Sequence, residues 1–268
     1  MRPDLPPVAF GATPFPAGKG AGGWVEMEET KMKAVILAGG KGSRLAPYTK
    51  VIPKPLMPIG DMPILEVLLH QIKRAGVDEV ILSVGHMASL LRAFFQEGER
   101  IGVRIGYSYE NTPLGTAGPL ALIDGLEDTF LVMNGDVLTT LDFGELLKFH
   151  RDAQAQVTIA MYNREVKIDL GVLQLNAGHE VVGYIEKPTY EFQVSMGVYV
   201  FEPAVLKYIP PAQYFDFPSL ILRLIDAGER VVGYPFGGYW QDLGRPDDYE
   251  QAIQDFESMR GQFLNGGE

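Results

Sequence analysis

At 268 residues, with 46% hydrophobic and 21% charged content, the chain is long enough to bury a core without staples and has an ordinary globular composition. Twenty-three basic residues against thirty-four acidic ones leave a net charge of −11, which argues against a nucleic-acid backbone as partner. The absence of cysteine excludes disulfides, thiolate nucleophiles and cysteine-ligated zinc. No apolar stretch approaches a membrane span and Met1-Arg2-Pro3-Asp4 lacks the core of a signal peptide, so a cytoplasmic protein away from membranes is expected.

Residues 1–31 are crowded with Pro and Gly and carry no periodicity, which predicts a flexible tail. Residues 34–37 are a short buried strand, followed by the glycine-rich turn Leu37-Ala38-Gly39-Gly40-Lys41-Gly42-Ser43-Arg44-Leu45. Residues without side chains bring backbone N–H groups close to an anion, and Arg44 and Lys54 of Pro53-Lys54-Pro55 add positive charge, so a triphosphate cradle is predicted. No Lys-Ser/Thr pair follows the last glycine as in the phosphate loop, and Leu45 stands where a dinucleotide fingerprint has its third glycine.

Farther on, Ile64, Val67, Leu68 and Ile72 share a helical face, with Asp61 as cap and Pro63 in the first turn. Strands over 80–84, 104–110 and 130–133, a helix over 88–96 and a capped helix opened by Asp142-Phe143-Gly144-Glu145 continue the alternation. This rhythm predicts a mixed, mainly parallel α/β sheet with helices on both faces, and ligands beyond the carboxyl ends of the strands, where Gly39 and Asp136 both fall. After a strand at 157–160, shorter strands over 171–175, 181–186 and 196–201, with a turn at Asn176-Ala177-Gly178, predict a more antiparallel second half. A helix over 217–227, a strand over 231–235, the 239–242 segment and a closing helix with Tyr249, Ala252, Ile253 and Phe256 end a single domain over 32–258, leaving a tail at 259–268.

Asp136 follows Asn134-Gly135 at the end of a strand, and Asp242 lies in Trp240-Gln241-Asp242-Leu243-Gly244. Two carboxylates suit one magnesium ion, although Asn-Gly-Asp also serves as a turn and an aspartate before a helix as a cap. Glu186-Lys187-Pro188 reads by itself as a surface ion pair before a turn proline. Leu114-Gly115-Thr116-Ala117-Gly118-Pro119-Leu120, after the strand ending at Glu110, opens a helix whose free N–H groups suit the polar edge of a nucleotide. His150 falls on the face of Phe143, Leu146 and Leu147 and is read as packed; His86 and His179 have no ligand-spaced neighbours, and Tyr239 and Trp240 read as core.

Taken together, these motifs resemble those of the sugar-1-phosphate nucleotidylyltransferases, from about Met32 to Phe256, and most closely the mannose-1-phosphate guanylyltransferase-like branch. The resemblance implies a Rossmann-like nucleotide-diphospho-sugar transferase fold with a nucleotide-binding half (32–155) and a sugar-binding half (156–258). It implies a nucleotide held by Leu37, Ala38, Gly39, Gly40, Gly42, Ser43, Arg44, Glu110, Gly115 and Thr116, with Arg44, Lys54 and Lys187 as the catalytic cations. By the same resemblance, Asp136 and Asp242 hold Mg²⁺, and Gly171, Glu186, Lys187 and Ser195 meet the sugar phosphate; many relatives carry Asn where Ser195 stands. The implied partners are a nucleoside triphosphate, GTP before UTP or TTP, and a sugar-1-phosphate; self-association into a homo-oligomer stays open. A glycosyltransferase is expected to carry Asp-x-Asp, which Asp136-Val137-Leu138 is not. A non-catalytic nucleotide-sugar sensor has no need of all five of Arg44, Lys54, Asp136, Lys187 and Asp242.

Overall fold

In a computed structural model, which describes residues 32–265, strand β1 (Met32–Leu37) carries Ala34, Val35 and Ile36 fully buried, the run a strand covered on both faces needs. Three short 3₁₀ turns follow, at Ser43–Leu45, Tyr48–Lys50 and Lys54–Leu56. A minimal hairpin of β2 (Pro58–Ile59) and β3 (Met62–Pro63) then leads into helix α1 (Ile64–Arg74). Asp61 does not cap that helix: it sits in the hairpin turn, too early for the first helical N–H groups, and accepts a hydrogen bond from Arg260 Nη2 at 2.6 Å.

The alternation continues through β4 (Val77–Val84), α2 (Ala88–Phe95), β5 (Arg104–Tyr109), β6 (Phe130–Asn134), β7 (Val137–Thr139) and α3 (Phe143–Ala153). Asp142 caps α3, its Oδ1 accepting from the N–H of Gly144 at 2.8 Å and of Glu145 at 3.1 Å. Then come β8 (Val157–Lys167), β9 (Val172–Leu175), β10 (Val181–Ile185), β11 (Thr189–Phe201), α4 (Phe217–Asp226), β12 (Val231–Phe236), β13 (Trp240–Asp242) and α5 (Pro246–Asn265).

Seven strands form one sheet in the order β12-β8-β11-β6-β1-β4-β5. β6, β1, β4 and β5 run parallel, β12 is parallel to β8, and β11 runs antiparallel between β6 and β8. Alternation along the strands sends Ala34, Ile36, Leu131 and Met133 to a core shared with α1, α2 and α3. Val35, Phe130 and Val132 go to the other face, against Phe215, Phe217, Leu220 and Leu224. Leu37 pairs with Ser83 on one side and Asn134 on the other, so three carboxyl ends share one rim.

β8 and β11 are much longer than the sequence pattern predicts. Beyond Tyr162, where β12 stops pairing, they continue as a two-stranded ribbon to Lys167 and Thr189, and the β9–β10 hairpin extends from its tip. Residues Asn163 to Lys167 of this arm are exposed on both faces, so no apolar alternation marked them as strand. The expected tail at 259–268 is corrected as well: α5 continues through a kink at Met259 to Asn265. Phe263 is fully buried against Phe256, Leu45 and Met57, and its carbonyl accepts from Gln71 Nε2 at 3.1 Å. The tail expected at 1–31 and residues 266–268 lie outside the described residues.

Candidate functional site

At the shared rim, the glycine turn is held by close backbone contacts. The Ala38 N–H donates to Ser83 O at 2.8 Å, and a Cβ on Gly39 would stand 2.9 Å from Glu110 Oε1 and 3.3 Å from Gly85 N. Gly42 has φ +59, and a Cβ there would meet Thr49 Cγ2 at 2.9 Å, while Thr49 Oγ1 donates to Gly42 O at 2.8 Å. The turn walls a cleft of about 820 Å³, within the range of small-molecule sites. Residues 37–44, Lys54, Glu110, Gly115, Thr116, Asn134 and Asp136 line it together with His86 and Tyr214.

Glu110 is fixed on both oxygens: Oε1 accepts from Ser83 Oγ and Oε2 from the Leu114 N–H, each at 3.1 Å. The segment after it is not the expected helix. It is a 3₁₀ turn over Gly118–Leu122, and the Ala117 and Gly118 N–H groups donate to Phe215 O at 3.0 and 2.9 Å rather than standing free. Gly115 is demanded by packing, with φ +83 and a Cβ position only 2.5 Å from Phe215 O. Thr116 Oγ1 accepts from the Phe217 N–H at 2.8 Å.

The two aspartates meet through a short ladder. β7 pairs antiparallel with β13, with Val137 opposite Asp242, and the Leu243 N–H donates to Asp136 O at 3.3 Å. Lys54, its side chain only 9% exposed, places Nζ in an ion pair with Asp136 Oδ2 and 3.8 Å from Asp242 Oδ1. The Arg44 guanidinium lies over Gly244: a Cβ on that glycine would be 3.1 Å from Arg44 Nη1 and 3.1 Å from Asp242 Oδ2. Asp242 is raised above the ordinary carboxylate range, first by desolvation and then by the Asp136 charge, with Lys54 and Arg44 pulling the other way. Among the described residues no cluster of three or more His, Cys, Asp or Glu side chains forms a closed metal cage. Two adjacent carboxylates at the edge of a cleft are instead the donor set a magnesium ion takes when phosphates and water complete its shell.

The residues expected around the sugar phosphate do not line this cleft. Lys187 stands at the end of β10 with φ 45, its side chain 58% exposed and Nζ 3.9 Å from Glu186 Oε1. Glu186 Oε2 accepts from Tyr184 Oη at 3.0 Å. Gly171 is a glycine because the Tyr184 hydroxyl occupies the space of its Cβ. Ser195 Oγ donates to Tyr199 Oη at 3.0 Å and accepts from the Gly197 N–H at 3.3 Å. Two residues on, Gly197 (φ +73) passes so close to the cleft-lining Asn134 that a Cβ would meet its Nδ2 at 2.5 Å. The arm therefore roots beside the cleft, while Glu186 and Lys187 are not among the residues that line it.

The sequence profile of the family described as nucleotidyl transferase matches residues 33–259. The chain belongs to the nucleotidyl transferase family. It is 36% identical over 243 residues to a UTP-glucose-1-phosphate uridylyltransferase of Synechocystis, covering 83% of this chain and 63% of that protein. It is likewise 36% identical over 240 residues to a mannose-1-phosphate guanylyltransferase of Mycobacterium tuberculosis, covering 85% of this chain and 66% of that protein. The chain thus spans less than two thirds of the length of these relatives. The crystal structure of HddC from Yersinia pseudotuberculosis complexed with GMP-PN matches with a TM-score of 0.63 at 26% identity, over 84% of this chain and 99% of that one.

In this member of the family, sequence reasoning missed the residues that hold the lining in place. Ser83, fully buried on β4, orients Glu110; its only signal is one hydroxyl inside the apolar run Val80-Ile81-Leu82-Ser83-Val84. His86, given no role above, lines the cleft ahead of α2. Tyr239 and Trp240 are structural, as expected: Tyr239 Oη donates to Asp255 Oδ2 at 2.8 Å and Trp240 Nε1 to Met196 O at 3.0 Å. No helix among the described residues is long and apolar enough to cross a membrane.

Proposed function

We propose that this nucleotidyl transferase joins a sugar-1-phosphate to a nucleoside triphosphate, with GTP and mannose-1-phosphate or a related sugar as the pair it prefers. A phosphate oxygen of the sugar-1-phosphate attacks the α-phosphorus. The bond from that phosphorus to the bridging oxygen breaks, and pyrophosphate leaves with the electron pair. The observation that carries this reading is the convergence of Lys54, Arg44, Asp136 and Asp242 on a glycine-walled cleft at the carboxyl ends of β1 and β6. Such transfers are accelerated mainly by alignment and by offsetting charge.

Arg44 and Lys54 hold the departing pyrophosphate. Asp136 and Asp242 are the residues that hold a magnesium ion, whose contribution when bound is Lewis-acid charge at the reacting phosphate. Lys187 reaches the acceptor phosphate when the arm folds over the cleft; its left-handed backbone, unusual for a residue with a side chain, supports a functional role there. Net acidity leaves no electrostatic footprint for nucleic acid, and we place the reaction in the cytoplasm.

Glu110 supports guanine. A carboxylate only accepts hydrogen bonds, and guanine offers two adjacent donors, N1–H and the exocyclic amine, whereas the single donor of uracil or thymine is flanked by two carbonyl oxygens. Uridylyl transfer to glucose-1-phosphate is the second reading, favoured by the 36% identity to the uridylyltransferase. Pyrophosphate release from a matrix of nucleoside triphosphates and sugar phosphates with Mg²⁺ decides between them. Turnover is expected to be highest with GTP, and Glu110→Gln is expected to shift the GTP-to-UTP ratio of kcat/KM toward UTP by about tenfold or more. No release with any pair would remove the enzymatic reading and leave a nucleotide-sugar sensor.

A further inference from the structure

We propose that Lys54 is a tethered counter-cation: in the free protein its ammonium takes the place between Asp136 and Asp242 that a divalent cation would fill, so the cation enters only when a polyphosphate draws the ammonium into the cleft. The inference rests on reading the cleft as a triphosphate site. Three observations carry it. The Lys54 side chain is almost fully buried, with Nζ paired to Asp136 and 3.8 Å from Asp242, so one positive charge already serves both carboxylates. Its backbone is pinned in a 3₁₀ turn between Pro53 and Pro55, and a Cβ on Gly42 would touch Lys54 Cβ at 3.3 Å, so only the flexible stem can move the charge. The same side chain lines the cleft with Arg44 and the glycine turn, where a chain of phosphates would lie.

Two like-charged carboxylates side by side need a cation, and two cations within a few ångströms exclude one another. Ammonium and divalent ion are therefore alternatives at one position. A polyphosphate offers the ammonium a second set of oxygens and so makes room for the ion. Coupling of this kind is reciprocal: the ion tightens the polyphosphate by the factor by which the polyphosphate tightens the ion.

Mn²⁺ is the probe, with free Mn²⁺ followed by electron paramagnetic resonance during titration of the full chain without nucleotide. Lys54→Met is expected to bind Mn²⁺ at least tenfold tighter than the wild type, whereas Lys54→Arg, which keeps the charge, stays weak. A Lys54→Met variant with a wild-type circular dichroism spectrum and unchanged or weaker Mn²⁺ affinity overturns the proposal. A second measurement needs no variant. The rate of Lys54 acylation by acetic anhydride, read by peptide mass, is expected to be unaffected by millimolar Mg²⁺ alone and to change severalfold when a non-hydrolysable GTP analogue accompanies it. A severalfold change with Mg²⁺ alone overturns the tethered cation. Failure of the analogue to bind at all overturns instead the reading of the cleft, so the two failures are distinct.

Discussion

Lys54 and Lys187 each follow a strand or turn and precede a proline, yet the fold treats them oppositely. Lys54 is 9% exposed, set between two carboxylates on a backbone pinned by prolines. Lys187 is 58% exposed, between the ribbon and the β9–β10 hairpin of an arm whose Leu173, Val182, Tyr184 and Phe192 are all more than half exposed. The cleft is fixed by the seven-stranded sheet: Gly135 donates to Leu37 O at 3.0 Å and Gly39 presses on Gly85, so its walls move only if the sheet does. The arm has no such backing beyond Tyr162, where it is two strands wide, and two strands alone are marginal in water. The proposed reaction, which admits two phosphorylated reactants and then excludes water, would gain from one rigid wall and one wall free to travel.

The comparison breaks first at the rigid wall. Asp242→Asn is expected to lower kcat by about 10²–10³-fold, since it removes one of the two charges proposed to hold the cation, while leaving thermal stability within about 1 kcal/mol. Steady-state pyrophosphate release alongside a melt checks both halves, and a normal kcat would remove Asp242 from the reaction. Lys187→Ala sharpens the other side. An exposed ion pair contributes little to stability, so the melt is expected to shift by less than about 0.5 kcal/mol. The kcat/KM for the sugar phosphate is expected to drop about 10²-fold with triphosphate affinity intact. Equal loss of triphosphate affinity would put Lys187 in the nucleotide cleft and end the distinction between the walls.

The rigid wall was also the more legible of the two. Its glycine turn is a local pattern, and Gly39, Gly42, Arg44 and Lys54 are read within sixteen consecutive positions because the chemistry of a phosphate cradle is written in neighbouring residues. Asp136 and Asp242 were legible only as candidates. What joins them is a ladder of three residues on each side, and Val137-Leu138-Thr139 is too short to declare itself a strand after a turn-forming Asn-Gly-Asp. The arm was misread in length because Asn163, Arg164 and Glu165 put polar groups on both faces, a pattern that excludes burial but not strand pairing. The terminal helix was cut short at 258 because Met259 interrupts its dihedrals and Gly261 weakens its propensity; the Phe263 that anchors it lies beyond both. β11 lies antiparallel between two parallel groups, a pairing between distant segments that no local signal carries.

Phe263 turns that last misreading into a test of what supports the rigid wall. It fills a core with Leu45, Met57 and Phe256, immediately beneath the segment that carries Arg44 and Lys54. Phe263→Ala is expected to cost about 3–4 kcal/mol in unfolding free energy, the range for a buried phenylalanine, and to raise KM for the triphosphate more than KM for the sugar phosphate. Denaturant unfolding and the two KM values measure this. A loss below about 1 kcal/mol would make 259–265 as dispensable as the tail expected over 259–268.

The smallest effect lies at the edge of the sheet opposite the cleft. His150 on α3 is buried, with Nδ1 2.8 Å from Thr158 Oγ1 on β8 and Nε2 3.0 Å from Glu202 Oε1 just past β11, so it clamps α3 to the ends of these two strands that lie farthest from the arm. Desolvation lowers its pKa below the ordinary histidine value, against the opposing pull of Glu202. The unfolded chain therefore binds a proton at higher pH than the folded one. The stability His150 contributes is present above about pH 6.5 and is lost as pH falls from there toward the folded pKa. The wild type is expected to lose more melting temperature between pH 7.5 and 5.5 than His150→Gln, which holds an amide in the same place without titrating. Parallel slopes would show that His150 takes up its proton at the same pH in the folded and the unfolded chain. They would leave the rest of the pH dependence to other groups, among them the partly buried His70, whose pKa burial also lowers.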